Sequence, residues 1–132
     1  MLESEGSGLS DLDRFETYRW FVEYRGMVVG SVSLKNINQM MNYAEVGYGI
    51  AESHHGKGIA TASVKRLIEM AFLESNLRRL IAHVHCANVA SCRVLEKLGF
   101  EREGLLREHY VINGVPEDEV IFGLLNRDWK NQ

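Results

Sequence analysis

A glycine-rich stretch over residues 47–61, GYGIAESHHGKGIAT, has the composition of a loop that binds phosphate. A strand-like alternation ends at Ile50, and a helical pattern begins near Ile59. Glycines just before a helix leave backbone N–H groups accessible, and the positive end of the helix dipole attracts anions. Lys57 adds a formal positive charge. The stretch therefore predicts a phosphate or pyrophosphate site, unless its glycines serve only the turn from strand to helix.

Two common phosphate loops fit this stretch poorly. With Gly56 and Lys57 in place, a Walker A loop requires glycine at 51 and a hydroxyl at 58, where Ala51 and Gly58 stand. A dinucleotide fingerprint counted from Gly56 requires a third glycine at 61, where Thr61 stands. The sequence therefore disfavours both a nucleotide-hydrolysing and a dinucleotide-binding domain.

A second segment, residues 86–104 (CANVASCRVLEKLGFEREG), places polar groups at the start of a short predicted helix. Asn88 is a favourable N-cap for a helix over residues 89–98. Ser91 falls on the apolar face of that helix, where its hydroxyl either takes part in chemistry or bonds to backbone. Lys97 is typical of a last helical turn, since a cation there faces the negative end of the dipole.

The elements that position these groups follow a fixed order of three strands, a helix, a strand, a helix and two strands. Period-two alternation predicts strands over 17–25, 27–34, 43–50, 80–85, 105–112 and 119–125, a loop over 35–42, and helical spacing predicts helices over 59–73 and 89–98. A strand–helix–strand unit joins parallel strands, whereas the flanking hairpins are antiparallel. We predict an α/β (α+β) domain whose mixed, mostly antiparallel sheet contains a central βαβ crossover.

Length and composition limit the function classes. A chain of 132 residues, 45% hydrophobic and 25% charged, is typical of one globular domain, with residues 1–14 as a flexible tail and 15–132 as the folded part. A net charge of −3 argues against a nucleic-acid partner, and no apolar run approaches the roughly 20 residues that span a bilayer. The two cysteines favour a reduced, cytoplasmic protein.

Two groups of side chains invite other interpretations. His83 and His85 share a strand face beside Cys86, but no further ligand has useful spacing. We therefore expect strand packing for these residues and no metal site. The cations Arg66, Arg78 and Arg79 are expected at a solvated edge, where one of them could meet a phosphate.

The two polar segments together resemble the GCN5-related N-acetyltransferases, the GNAT family. The family's Gln/Arg-x-x-Gly-x-Gly/Ala loop is matched at Gly58 and Ala60, with His55 in place of Gln or Arg. Its Asn-x-x-Ser and Lys-x-Gly-Phe patterns are matched at Asn88, Ser91, Lys97, Gly99 and Phe100. Residues 20–125 are similar to the branch that acetylates ribosomal proteins, the RimJ/RimL type.

The resemblance implies acetyl-CoA as co-substrate and direct attack by an amine in a ternary complex. It implies that strands 43–50 and 80–85 splay apart, so that the backbone of Gly49, Ile50 and Ala51 bonds the pantetheine arm. The implied pyrophosphate contacts are His55, Gly56, Lys57, Gly58, Ile59, Ala60 and Thr61. Ser91 is implied to protonate the leaving thiolate, Asn88 to position the cofactor, and Lys97 to complete the cofactor-binding set.

The reaction also needs a neutral amine, and Glu45 is our best candidate for the base; its alternative is a solvent-facing or ion-paired strand residue. Weaker candidates are Tyr18, Glu23, Tyr110 and the acidic run Glu117, Asp118 and Glu119. Deprotonation at pH 7 costs about 1.4 kcal/mol for an α-amine and about 4.6 kcal/mol for a lysine. The lack of a compelling base therefore favours an α-amine.

The predicted acceptor is the N-terminal α-amine of a ribosomal or other protein. The alternatives are a small amine, such as a polyamine or an antibiotic, and a non-catalytic module that binds acyl-CoA. Members of the family usually have a strand and one or two helices before the segment that starts here near Trp20. We expect these elements to be missing, so that either the chain is a truncated or divergent form, or a partner chain, for example in a homodimer, supplies one wall of the acceptor site.

Overall fold

The computed structural model describes residues 2–4, 17–130 and 132. The strands are β1 Leu2–Ser4, β2 Tyr18–Tyr24, β3 Met27–Asn38, β4 Tyr43–Ile50, β5 Arg79–His85, β6 Glu101–Ile112 and β7 Val115–Leu125. The helices are α1 Ile59–Glu69, α2 Val89–Lys97 and α3 Asn126–Lys130. A 3-10 turn, Glu52–His54, precedes α1, and a π-helical turn, Met70–Glu74, continues it.

The strands form one sheet in the order β1-β2-β3-β4-β5-β7-β6. The single parallel pair among the described strands is β4–β5, and α1 makes the crossover between them; every other neighbouring pair is antiparallel. This topology confirms the predicted mixed, mostly antiparallel sheet with a central βαβ unit.

Alternation along the strands places one hydrophobic core against the sheet. On β2, Tyr18, Trp20 and Val22 are buried while the residues between them are exposed. Helix α1 contributes the other side of the contact through Val64 and Leu67, which are fully buried. Each such aliphatic side chain stabilises the fold by about 1.5–3 kcal/mol. The period-two and helical patterns of the sequence thus correspond to real burial.

The predicted loop over residues 35–42 is wrong, because β3 continues to Asn38 before a short turn. The added residues pair with β4 through Lys35 opposite Glu45 and Asn38 opposite Tyr43, with an irregularity between the two pairs. Ile37 is fully buried. The sequence predicted a loop here because the residues on either side of Ile37 are polar and face solvent. Ile37 is the one residue of the added part of β3 that packs into the core.

The amino-terminal prediction needs one correction. Leu2–Ser4, inside the predicted flexible tail, forms a strand that pairs antiparallel with β2, Leu2 opposite Val22. A strand therefore does precede the Trp20 segment, contrary to our expectation. Residues 5–16 lie outside the described part of the chain, so the boundary near residue 14 and the missing helices stay predictions.

The feature that positions the site is the divergence of β4 from β5. Their parallel pairing covers only three positions, from Tyr43 opposite Arg79 to Glu45 opposite Ile81. Beyond this point β4 remains paired with β3, and β5 with β7. The predicted splay is therefore present, and it opens a gap in the sheet beside the first turns of α1 and α2.

Candidate functional site

Two cavities occupy the gap and meet at Tyr48, Asn88 and Ser91, which line both. The large cavity, about 530 Å³, runs from β4 to the start of α1. The small cavity, about 180 Å³, lies over β4 and β5. The arrangement can hold a long ligand in the large cavity with its end presented to a second molecule in the small one.

The large cavity collects most of the sequence-predicted cofactor residues. Its lining includes Gly49, Ile50, His55, Gly56, Gly58, Ile59, Ala60, Thr61, Asn88 and Ser91. Ala51, Lys57 and Lys97 are not part of it. Tyr48, His54, Ala90, Arg93 and Val94 also line it and were not predicted from the sequence.

The glycine loop ends in a helix N-terminus that is open to an anion. Gly56 and Gly58 have φ angles of 77° and 75°, a conformation that L side chains rarely adopt, and the space around both is empty. The N–H groups in the first turn of α1 have no acceptor within the helix. That turn contains no acidic residue, and no side chain caps it. These features fit a pyrophosphate.

His55 ties this loop to the end of β4. Its Nε2 lies 2.6 Å from the carbonyl oxygen of Ile50, so that nitrogen carries the proton and donates. The backbone N–H of Ala51 donates to the carbonyl of Val29 at 2.7 Å. The Ala51 N–H is therefore bonded to β3 and the Ile50 carbonyl to His55, contrary to the expected free backbone at these two residues.

At the junction of the cavities, Asn88 caps α2 and Ser91 meets Tyr48. The side-chain oxygen of Asn88 accepts the N–H of Ser91 at 3.1 Å, which confirms the predicted N-cap. The hydroxyl of Tyr48 contacts the Ser91 hydroxyl and also donates to the Ser91 carbonyl at 3.2 Å. Burial raises the pKa of Tyr48, partly offset by its hydrogen bond with Ser91. The pair is therefore protonated at neutral pH.

Glu45 lines the small cavity, but its carboxylate is already engaged. Asn36 donates its side-chain N–H to one oxygen at 3.0 Å, and the ammonium of Lys35 lies 3.6 Å from the other. The Glu45 side chain is only 13% exposed. In the structure Glu45 is therefore an ion-paired strand residue, which is the alternative that the sequence left open.

The remaining base candidates divide by position. Tyr18 is buried and stacks near Trp20, which removes it from the cavities. Tyr110 lines the small cavity, where its ring lies near His85. Glu23, Glu117 and Asp118 do not line the small cavity. Glu119 is buried, and it pairs with a histidine of the neighbouring strand.

Glu119 bonds His83 through an oxygen 2.8 Å from Nδ1. Glu119 is 3% exposed, whereas the His83 side chain is 31% exposed and lines the small cavity. His83 thus packs against the neighbouring strand as expected, but the sequence did not predict that it also lines the small cavity. Sequence alternation places a side chain on a face but cannot show that the face borders a gap.

The arginines that the sequence offered as phosphate ligands are bonded to other groups of the protein. Arg66 pairs with carboxylates on its own helical segment, Arg78 donates to the carbonyl of Met41, and Arg79 forms a two-point bond with Glu103. Arg93, on α2, is the cation that lines the large cavity. Its exposure and helical position gave no signal that distinguished it from an ordinary surface arginine.

Lys57 and Lys97 point away from the predicted role. The ammonium of Lys57 lies 5.9 Å from the centre of the Tyr24 ring. Lys97 is exposed in the last turn of α2, roughly 13 Å along the helix from Asn88 at 1.5 Å per residue. Neither lysine lines the large cavity as the chain stands.

In residues 2–4, 17–130 and 132, no three histidine, cysteine, aspartate or glutamate side chains converge to hold a metal ion. No helix of that part of the chain is long and apolar enough to cross a membrane.

Known proteins similar to the chain agree with this architecture. The chain is 39% identical to the "Putative ribosomal N-acetyltransferase YdaF" of Bacillus subtilis over 109 residues, covering 83% of the chain and 60% of the relative. A crystal structure of a "Probable acetyltransferase" superposes with a TM-score of 0.83 at 38% identity, covering 86% of the chain and 64% of that structure.

A second crystal structure matches nearly as well. The spermidine/spermine N-acetyltransferase SpeG from Vibrio cholerae, in complex with manganese ions, gives a TM-score of 0.82 at 32% identity, covering 87% of the chain and 68% of that structure. The chain spans about 60% of the length of the curated relatives that it matches. The acetyltransferase (GNAT) domain model matches residues 4–101. The chain belongs to the GNAT family.

Proposed function

We propose that the chain transfers an acetyl group from acetyl-CoA to a protein N-terminal α-amine, as a cytoplasmic enzyme of the RimJ/RimL type. The observation that supports this function is the meeting of two cavities at Tyr48 and Ser91. The large cavity ends at an uncapped helix N-terminus, as an anionic cofactor requires. The small cavity is of a size to admit an amine and a short stretch of chain.

In this proposal the first turn of α1 binds the pyrophosphate of acetyl-CoA through its free N–H groups. Arg93 supplies the positive charge that attracts the phosphates, a role that the sequence predicted for Lys57 and Lys97. The edge of β4 beyond Glu45 lacks a partner strand, so its backbone bonds the pantetheine arm. The co-substrate supplies a thioester at the junction of the cavities.

Ser91 and Tyr48 act on the leaving group. The amine nitrogen forms a bond to the thioester carbonyl carbon, and the carbon–sulfur bond breaks. The thiolate takes the Ser91 proton, and the Tyr48 hydroxyl, already bonded to Ser91, replaces it. The acylated nitrogen loses its extra proton, which returns through water to Tyr48, so that the acetamide and the free thiol are both neutral. Because both groups are protonated at neutral pH, the relay is ready before the amine arrives.

The charge of the small cavity favours one amine over several. A polyamine carries further ammonium groups that need carboxylates. Glu45, the carboxylate that lines this cavity, is engaged by Lys35 and Asn36, and the buried Glu119 behind His83 is engaged by that histidine. An α-amine needs no second carboxylate and costs only about 1.4 kcal/mol to deprotonate at pH 7. Polyamine acetylation, the activity that the SpeG name states, is the second candidate.

Calorimetric titration with acetyl-CoA and a thiol-release assay test the proposal together. The acceptors are peptides with free α-amines, spermidine and an aminoglycoside. We expect binding, and thiol release with at least one peptide. Release with spermidine alone would replace the α-amine by a polyamine. Binding without release would indicate a non-catalytic module, and no binding would overturn the cofactor assignment.

A further inference from the structure

A histidine–glutamate pair lies beside the small cavity and takes no part in the roles assigned above. Glu119 on β7 sits directly opposite His85 of β5 and diagonally from His83. The Glu119 carboxylate is almost wholly buried, with one oxygen 2.8 Å from Nδ1 of His83. A buried carboxylate is costly unless it is paired, so this contact is specific to the two residues.

The contact fixes which ring nitrogen of His83 can accept a proton. An ionised carboxylate only accepts hydrogen bonds, so Nδ1 of His83 carries the hydrogen and donates to Glu119. In the neutral ring, Nε2 then has the free lone pair. The ring lines the small cavity that Ser91 and Tyr48 also line. A proton acceptor and a proton donor therefore face the same space.

Other groups around the cavity are less suited to the task. The carboxylate of Glu45 is held by Lys35 and Asn36. Nδ1 of His85 is buried without a hydrogen-bond partner, and its ring packs near Tyr110. His83 combines exposure to the cavity with a buried anion behind it, and no other titratable group lining the cavity has both.

We propose that His83 is the general base of acetyl transfer and that Glu119 is its positioning residue; this inference rests on the proposed function. Nε2 of His83 takes one proton from the acceptor ammonium, whose freed lone pair forms the nitrogen–carbon bond. The carboxylate of Glu119 stabilises the resulting imidazolium. The imidazolium proton then passes to solvent. The second proton leaves the nitrogen after the nitrogen–carbon bond forms and replaces, through Tyr48, the proton that Ser91 gave to the thiol.

The test is kcat/KM for thiol release with an α-amine peptide, measured between about pH 6 and pH 9.5. His83→Gln should lose about 100-fold near pH 7, the lower range for general acid–base catalysis. The loss should close above about pH 8, where the α-amine is neutral without help. Acetyl-CoA affinity should not change. Glu119→Gln should show a smaller loss of kcat/KM with the same dependence on pH.

Controls separate catalysis from folding. His109→Gln makes the same substitution at an exposed site on β6 and should leave the profile unchanged. Thermal melting shows whether Glu119→Gln folds. In His83→Ala, added imidazole should restore part of the rate. Besides Glu119, the titratable groups around His83 in the small cavity are His85, Tyr48, Tyr110, Glu45 and Lys35. His85→Gln is therefore measured as well, because His85 is the other imidazole at this cavity, and it should keep the fall in kcat/KM toward acid pH.

The outcomes are distinguishable. If wild type is active and His83→Gln matches it at every pH, the inference fails and the proposed function stands. A loss that is equal at all pH values would show a structural role and would also overturn the inference. A wild type that binds acetyl-CoA but acetylates nothing would overturn the proposed function and the inference with it.

Discussion

The hydroxyl of Tyr48 on β4 lies against the hydroxyl of Ser91 on α2, and both side chains line the two cavities at once. The contact exists because β4 has left β5 and α2 begins beside the gap. Any ligand that spans the cavities must pass these two hydroxyls. Removing either hydroxyl should therefore lower the turnover rate more than it lowers the stability of the fold.

Ser91→Ala should lower kcat by about 10- to 100-fold, at or below the lower range for general acid catalysis, and change acetyl-CoA affinity little. Tyr48→Phe should cause a smaller loss, because Ser91 can still donate once. Tyr43→Phe removes a hydroxyl from the same strand outside both cavities and should leave kcat unchanged. Steady-state kinetics with calorimetry decide; equal kcat for Ser91→Ala and wild type would remove its proposed role.

Asn88 combines capping with a place in the large cavity, and two substitutions separate these roles. Asn88→Ala removes the hydrogen bond to the Ser91 N–H and should cost about 1 kcal/mol of stability. Serine is also a good N-cap, so Asn88→Ser should be nearly as stable as wild type. If Asn88 also positions the cofactor, both variants should bind acetyl-CoA more weakly. Normal binding by Asn88→Ser would leave capping as its whole role.

Much of the fold was predictable because burial follows period. The alternation of β2 and the spacing of α1 correspond to the sides that the core covers. The extension of β3 to Asn38 was missed because Lys35, Asn36 and Asn38 are polar, and the strand is retained by pairing with β4. Local composition carries no information about such a partner.

The candidate site was predictable where the backbone itself forms it. Gly56, Gly58 and Asn88 carry local signals, since positive φ and capping depend on neighbouring residues. The roles of Tyr48 and His83 depend on the gap between β4 and β5. In the sequence they look like ordinary strand residues, because their significance comes from elements that are distant along the chain.

Arg93 should contribute to cofactor affinity through long-range attraction to phosphate. Arg93→Ala should weaken acetyl-CoA binding several-fold at low ionic strength, and the difference should shrink as salt screens exposed charges. Arg127→Ala removes an exposed arginine far from the large cavity and should have no effect. Titrations at two salt concentrations provide the measurement; an unchanged affinity for Arg93→Ala would exclude this contact.

The ion pair of Arg79 and Glu103 should make stability depend on acid pH. The two hydrogen bonds measure 2.9 and 2.5 Å and pass over β7 at Gly123, where a Cβ would collide with the carboxylate. The Arg79 guanidinium lowers the pKa of Glu103 below its usual value of 4.5. A lowered folded-state pKa stabilises the fold above the unfolded value, and this contribution disappears as pH falls through the folded one.

Glu103→Gln should therefore lower the free energy of unfolding at pH 7 by no more than about 1 kcal/mol, because the pair is partly exposed. The difference from wild type should vanish in strong acid. Gly123→Ala should give a similar loss by displacing the carboxylate. Urea unfolding at both pH values tests this; a Glu103→Gln difference that persists in acid would show that the ion pair is not its cause.

The most direct test of the cofactor site places one charge at two neighbouring positions in the first turn of α1. Thr61 lines the large cavity, whereas Ala62 is exposed outside it. Thr61→Glu and Ala62→Glu should both preserve or slightly raise stability, by about 0.3–1 kcal/mol, since an acid favours a helix N-terminus. Only Thr61→Glu should meet the pyrophosphate. Calorimetric titration with acetyl-CoA should show near-normal affinity for Ala62→Glu and at least about a tenfold loss, 1.4 kcal/mol, for Thr61→Glu; equal affinities in the two variants would contradict the assignment of this cleft to acetyl-CoA.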